Sequence, residues 1–192
     1  MSSLNYSAPK TLSIGLGGNI TSHAGSPETT VITARPMIEK VIKEWCFSLL
    51  KGNIDNVLVE SGIHFCWSSL YKTEPIGGPN NQPFFINAVV IVHGEIFTKL
   101  NPSDEAATEL LKQFMCLEQS FGRNRSEESR WGPRTLDIDL LAWGDFRMNT
   151  SELILPHPRS IERGFVIIPL AEAMKKLSSS LIQIKPQTDW DE

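Results

Sequence analysis

Long apolar runs are missing from this 192-residue chain. No stretch approaches the roughly 18 residues that a membrane-spanning helix needs. Met1–Lys10 also lacks the basic segment followed by an apolar one that marks a secretory signal. Cysteine is scarce: Cys46, Cys66 and Cys116 are scattered, odd in number and without C-x-x-C spacing. That argues against a disulfide framework or a zinc site, and for buried free thiols in a reducing compartment. Basic residues are not in excess, since 18 Lys and Arg stand against 22 Asp and Glu for a net charge of −4. A broad nucleic-acid surface is thereby disfavoured. Internal repeats and linkers are absent as well. With 41% hydrophobic and 21% charged residues the composition is that of an ordinary globular protein. We expect a cytosolic single domain over 1–192, with a core at roughly 11–177 and peripheral ends at 1–10 and 178–192.

What is present is patterned. Leu12-Ser-Ile-Gly-Leu16 predicts a short strand, with Gly17-Gly18-Asn19 as the turn that ends it. No Gly-Lys-Ser/Thr follows these glycines, so a tight turn is a better reading than a phosphate loop. Residues 19–26 read as loop, and Ser26-Pro27-Glu28 offers an N-cap with proline at the first helical position. Val31, Ile32, Ala34, Ile38, Val41, Ile42, Trp45 and Leu49 then recur at helical spacing, with Pro36 expected to kink or restart the helix and Gly52-Asn53 to end it. β-rich segments lie between Val57 and Tyr71, and Phe84–Val92 is a strongly apolar strand. The intervening Thr73–Pro83 is too rich in Gly, Pro and Asn for regular structure, and long loops of this kind are often functional. Ser103-Asp104 caps a second helix. Pro156-His157-Pro158 marks an ordered turn, Phe165–Lys176 ends helical, and the polar tail after Ser178 is expected to pack poorly. The order is βαββαβ. It predicts an α+β fold of ferredoxin-like type, mostly antiparallel, with helices on one face and a helical C-terminal extension. The other face is free to carry a site.

One stretch carries the chemistry: Arg130-Trp-Gly-Pro-Arg-Thr-Leu-Asp-Ile-Asp-Leu-Leu141. Asp137 and Asp139 alternate with apolar residues, so on a strand they share one face. Two acids side by side repel each other unless a cation sits between them. Carboxylates suit a hard divalent ion, Mg²⁺ above all, and two carboxylates can bridge two such ions. Just upstream stand four of the chain's eight arginines, Arg123, Arg125, Arg130 and Arg134. Guanidinium forks suit phosphate oxygens, so the pattern points to a metal-bound polyphosphate.

The same stretch resembles the signature of the 6-hydroxymethyl-7,8-dihydropterin pyrophosphokinase family. Further segments agree in order: Leu16-Gly-Gly-Asn19, Ser69-Leu-Tyr-Lys-Thr-Glu-Pro75, Gln82-Pro-Phe-Phe-Ile-Asn-Ala88, Glu118–Arg125, and Pro156-His157 through Arg163-Gly-Phe165. The resemblance spans roughly 12–172. It implies a ferredoxin-like enzyme that moves the β,γ-diphosphoryl group of ATP to the pterin's hydroxymethyl oxygen, leaving AMP. Asp137 and Asp139 would hold two Mg²⁺ ions. Arg123 and Arg125 would act in catalysis from a mobile loop that closes over ATP. Glu118, Arg125, Trp131, Arg134, Leu140, His157 and Arg163 would serve ATP. Phe85 and Phe165 would sandwich the pterin ring, Asn87 would read its edge, and Thr73, Glu74, Pro75 and Ile76 would complete that pocket. Trp131 would form a wall between the substrates.

The expected partners are thus the two small molecules, with no nucleic acid or membrane, and the expected form is a monomer. No separate general base is called for, because positioned cations can carry most of a phosphoryl transfer. Some of the arginines could instead pair with Glu118, Glu127 or Glu128, a role that suits Arg130 best. The chain departs from the family pattern at Phe85, often a tyrosine, at Met115 and Pro158, and in the longer segment between Asn19 and Gly62. Two other readings use some of the same residues. One is a metal-dependent nucleotidyl- or glycosyltransferase built on the Asp-x-Asp. The other is a ferredoxin-like RNA-binding module with Phe85 on its sheet, which the acidic charge and the lack of a ribonucleoprotein signature disfavour.

Overall fold

Leu12, Ile14 and Leu16 are buried while Ser13 and Gly15 between them are less so, an alternation realised as strand β1 (Leu12–Gly18) inside an antiparallel sheet. The structure, a computed structural model, describes residues 11–50, 62–126, 129 and 131–177. After β1 come α1 (Pro27–Leu49), β2 (His64–Trp67), β3 (Tyr71–Thr73) and β4 (Phe85–His93). Then follow a short α2 (Glu95–Lys99), α3 (Asp104–Ser120), β5 (Asp137–Trp143), the small hairpin β6 (Met148–Asn149) and β7 (Ile154–Leu155), and α4 (Gly164–Leu177). The main sheet runs β2-β4-β1-β5, every pair antiparallel, and β3 continues β2 along the same edge of β4. This is the expected α+β, ferredoxin-like βαββαβ arrangement.

One sheet face builds the core. Ile14, Val90 and Leu140 from three neighbouring strands join Ile38 and Trp45 of α1 and Phe114 of α3 in one cluster, all with almost no solvent exposure. Burying such side chains stabilises by roughly 1.5–3 kcal/mol each before conformational entropy is charged against it. Both helix starts follow the predicted capping. Ser26 accepts from Thr29 N–H with Pro27 in the first turn, and Ser103 accepts from Ala106 N–H. Pro36 does not divide α1, which runs unbroken through it. The carbonyl that proline deprives of a partner belongs to Ile32, which is 53% exposed, so water can satisfy it. The predicted helix end at Gly52-Asn53, the β-rich residues from Val57 to Ser61 and the tail after Ser178 lie outside the described residues.

The opposite face bears the Asp-x-Asp strand and the C-terminal extension. The β1–β5 register shifts between Ser13 and Ile14, where β5 carries Leu141 as an extra residue. That bulge lets Leu140 and Trp143 both face the core, while Leu141 joins Asp137 and Asp139 on the far side. There α4 contributes Val166 to a small separate cluster with Val89 and Leu141. Among the described residues no helix is long and apolar enough to cross a membrane.

Candidate active site

Asp137 and Asp139 stand on β5 at the junction of two clefts. The first, of about 750 Å³, is lined by Thr73, Glu74, Ile76, Phe85, Asn87, Trp131, Arg134, both aspartates, Arg163 and Phe165. The second, of about 1300 Å³, is lined by Arg125, Asp139, Leu140, His157 and residues 150–154. Asp139 is on the wall of both. The pterin-type candidates from the sequence thus come together in one place, with Pro75 alone of that group set back from the wall. The ATP-type candidates divide. Arg125, Leu140 and His157 line the second cleft, Trp131, Arg134 and Arg163 the first, and Glu118 is buried behind them.

The floor of the first cleft depends on two glycines. Gly17 and Gly18 remain in β1 and neither has a positive φ, so they are not the predicted turn. They permit close approach. A Cβ on Gly18 would collide with the Thr135 carbonyl oxygen, and one on Gly17 would sit 2.8 Å from Asn87 Oδ1. Asn87 is held by its Nδ2, which donates to Thr73 Oγ1 at 2.7 Å. Asn19 fastens the strand end beside it: its Oδ1 accepts from Arg134 N at 2.8 Å and its Nδ2 donates to the Pro83 carbonyl at 3.2 Å. The Leu16–Asn19 segment therefore shapes the pocket through the close backbone approach its glycines allow and through the Asn19 side chain.

Electrostatics divide the two aspartates. Burial alone would raise the Asp137 carboxyl, but Arg134 and Arg123 beside it hold it below its ordinary value. Arg123 Nη1 donates to Asp137 Oδ1, and Arg134 Nη1 lies 3.4 Å from Oδ2. Asp139 has no hydrogen bond or ion pair among the described residues. Burial, then the charge of Asp137, push its carboxyl up to about 7. A carboxylate so destabilised, next to a second one, is a ready ligand for a divalent cation. Among the described residues no third His, Cys, Asp or Glu joins them, which suits an ion that takes one or two carboxylates and completes its shell with substrate phosphates and water. The donor set therefore fits Mg²⁺.

The arginines are not idle. Glu118, 1% exposed, ties down two of them: its Oε1 accepts from Arg123 Nη1 at 2.8 Å, and its Oε2 accepts from Arg125 Nε at 3.1 Å and Nη2 at 2.6 Å. Oε1 also accepts Ile138 N–H at 2.8 Å, fixing the strand between the aspartates. Pairing with Glu118 thus falls to Arg123 and Arg125, while Arg130, Glu127 and Glu128 lie outside the described residues. Arg134 lies 5.5 Å from the Phe85 ring centroid, and its buried Nε has no partner among the described residues, an orphan donor of the kind an anionic ligand satisfies. Arg163 lies 5.4 Å from the Phe165 ring. Trp131 is 42% exposed at φ 60°, its ring beside Gly77. Phe85 is covered by Arg134 within a cleft, unlike the open sheet aromatic that an RNA-binding module presents. Residues 150–154 and Lys112 escaped sequence reasoning, because a polar turn and a lone lysine on a helix carry no pattern.

This arrangement has relatives. A family model described as 7,8-dihydro-6-hydroxymethylpterin-pyrophosphokinase (HPPK) matches residues 13–175. The chain belongs to this family. HPPK relatives named 2-amino-4-hydroxy-6-hydroxymethyldihydropteridine pyrophosphokinase include one from Bacillus subtilis, 44% identical over 110 residues, covering 57% of this chain and 59% of the relative. One from Synechocystis is 37% identical over 147 residues, covering 73% and 68%. A third, from Methylorubrum extorquens, is 35% identical over 125 residues, covering 65% and 72%. The HPPK match takes in both clefts and every site residue named above.

Proposed function

We propose that this chain transfers the β,γ-diphosphoryl group of ATP to the hydroxymethyl oxygen of 6-hydroxymethyl-7,8-dihydropterin, giving AMP and the pterin diphosphate in folate biosynthesis. The observation that carries this reading is the meeting of two clefts at Asp139, one aromatic-walled and one reached by Arg125 and His157. A flat ring in the first and a nucleotide in the second would bring an alcohol and a polyphosphate together beside the two carboxylates. Asp137 and Asp139 would hold Mg²⁺. When bound, it neutralises phosphate charge and acidifies a coordinated hydroxyl.

The protein's own groups bind and orient. Phe85 and Phe165 supply ring faces, and Asn87 and Thr73 supply polar groups at the ring edge. Arg134 and Arg163 stand between those rings and the carboxylates, where they meet transferring phosphate oxygens. Arg125, 45% exposed at its side chain, leaves Glu118 more readily than the buried Arg123 and so is the arginine that closes over the nucleotide. Burial, then Arg163, keep His157 below its ordinary pKa and hence neutral. Its Nδ1 accepts from Arg159 N–H, which leaves the proton on Nε2 for a phosphate oxygen. Catalysis is then positioning plus charge stabilisation.

The test is a product analysis. Incubated with ATP, Mg²⁺ and the pterin, the enzyme should release AMP in step with pterin diphosphate, and neither without the pterin. Release of ADP, or of free pyrophosphate with a nucleotidylated product, overturns the proposal.

A further inference from the structure

Helix α4 delivers Phe165 to the first cleft just after Arg163, yet its apolar seating is slight. Its fully buried residues are Val166, Pro169 and Ala173, with Phe165 and Leu170 half-buried beside them against the small Val89–Leu141 cluster. A helix seated on so narrow a strip can roll about its axis. A roll of about 10° carries a side chain some 6 Å from the axis by about 1 Å, and displacements of that size can cost as much as about 100-fold in a reaction that depends on positioning.

The roll is opposed by a polar clamp on the helix flank. The Glu172 carboxylate accepts from Ser69 N at 2.9 Å, Ser69 Oγ at 3.0 Å and Tyr71 OH at 2.9 Å. Lys176, one turn on, lies 2.8 Å from Glu172 and donates to the Trp67 carbonyl at 2.7 Å. Lys176 first, then the Ser69 and Tyr71 donors, hold the carboxyl down to about 2, so it is ionised throughout the working pH range. What it grips is the strand behind the opposite wall. Tyr71 pairs with Asn87 and Thr73 pairs with Phe85 across β3 and β4.

We propose that Glu172 is a positioning residue that sets the spacing between the Phe165 and Phe85 walls, and through it the affinity for the flat substrate. This deepens the pterin reading and rests on it. Glu172 lines neither cleft, so it acts only through α4 and β3.

The experiment is steady-state kinetics with both substrates varied, on wild type, Glu172→Gln, Tyr71→Phe and Lys176→Met, beside thermal melting of each. The expected result is a pterin KM raised about 5–10-fold in Glu172→Gln and about 2–3-fold in Tyr71→Phe, with the ATP KM unchanged within about twofold. Lys176→Met, which removes the Trp67 bond but keeps the Ser69 and Tyr71 bonds, should raise the pterin KM by no more than about 2–3-fold and leave the ATP KM within about twofold of wild type; a larger effect on ATP than on the pterin counts against the inference. A Glu172→Gln variant that melts lower but keeps the wild-type pterin KM, or that loses both substrates equally, overturns the inference. If Glu172→Gln does not fold, Tyr71→Phe decides it by the same pterin-against-ATP split. Failure of wild type to make the pterin diphosphate would instead sink the functional reading, and the clamp with it.

Discussion

Replacing Asp139 by asparagine should make the ligand-free protein more stable while abolishing turnover. The folded carboxyl titrates at about 7, whereas in an unfolded chain it titrates at about 3.9. A raised carboxyl means that the folded state holds more protons than the unfolded one between those values. Stability therefore falls as pH climbs from about 4 to about 7 and is flat above. The whole interval, at about 1.36 kcal/mol per unit, is about 4 kcal/mol. Water in the open clefts screens the pair, so about 2 kcal/mol is the expected gain from Asp139→Asn at about pH 8. For a chain of this length that is about 4–8 °C in melting temperature. At about pH 5, where the wild-type group is largely protonated in the fold, the gain should shrink below about 1 kcal/mol. Differential scanning fluorimetry of both proteins at the two pH values measures this directly. Mg²⁺ with a non-hydrolysable ATP analogue should raise the melting point of wild type and leave the variant nearly unmoved. A variant no more stable at the higher pH, or equally stabilised at both, would refute the reasoning that the two carboxylates strain each other.

Other expectations follow from the same contacts. Phe165→Ala should weaken the pterin by about 2–3 kcal/mol in a binding titration and ATP far less, whereas equal losses would make the ring merely structural. Arg125→Ala should lower kcat about 100-fold or more with a melting point within a few degrees of wild type; a large fall in stability without a kinetic effect would remove Arg125 from the phosphate site. Arg123→Ala should differ, costing about 3 kcal/mol of stability in a urea titration because it removes the buried cation that Glu118 and Asp137 share, leaving Glu118 only Arg125 and the Ile138 N–H. Gly18→Ala, whose new methyl would run into the Thr135 carbonyl, should cost about 2–4 kcal/mol, and a neutral result would mean that β1 and the 134–135 segment separate freely.

The fold was legible wherever side-chain period and burial agree. Phe85–His93 reads as a central strand because it is apolar almost throughout, and α1 and α3 declare themselves by period and by their Ser26 and Ser103 caps. Gly17 and Gly18 misled, since a glycine needed for close approach looks the same in sequence as one needed for a turn; only the neighbouring Thr135 and Asn87 tell them apart. Pro36 does not restart the helix, because whether proline interrupts one depends on whether the deprived carbonyl reaches water. The 150–154 wall carries no periodic signal at all.

The chain by itself determined that two carboxylates share one strand face and that arginines cluster just before them, because alternation along a strand is a local property. Which arginine stays buried on Glu118, which of the two aspartates has no side-chain partner among the described residues, and how Phe165 of α4 comes to line the same cleft as Phe85 of β4 depended on segments far apart in the chain meeting across the sheet. Those are long-range distances, and charge and packing energies are set by distance.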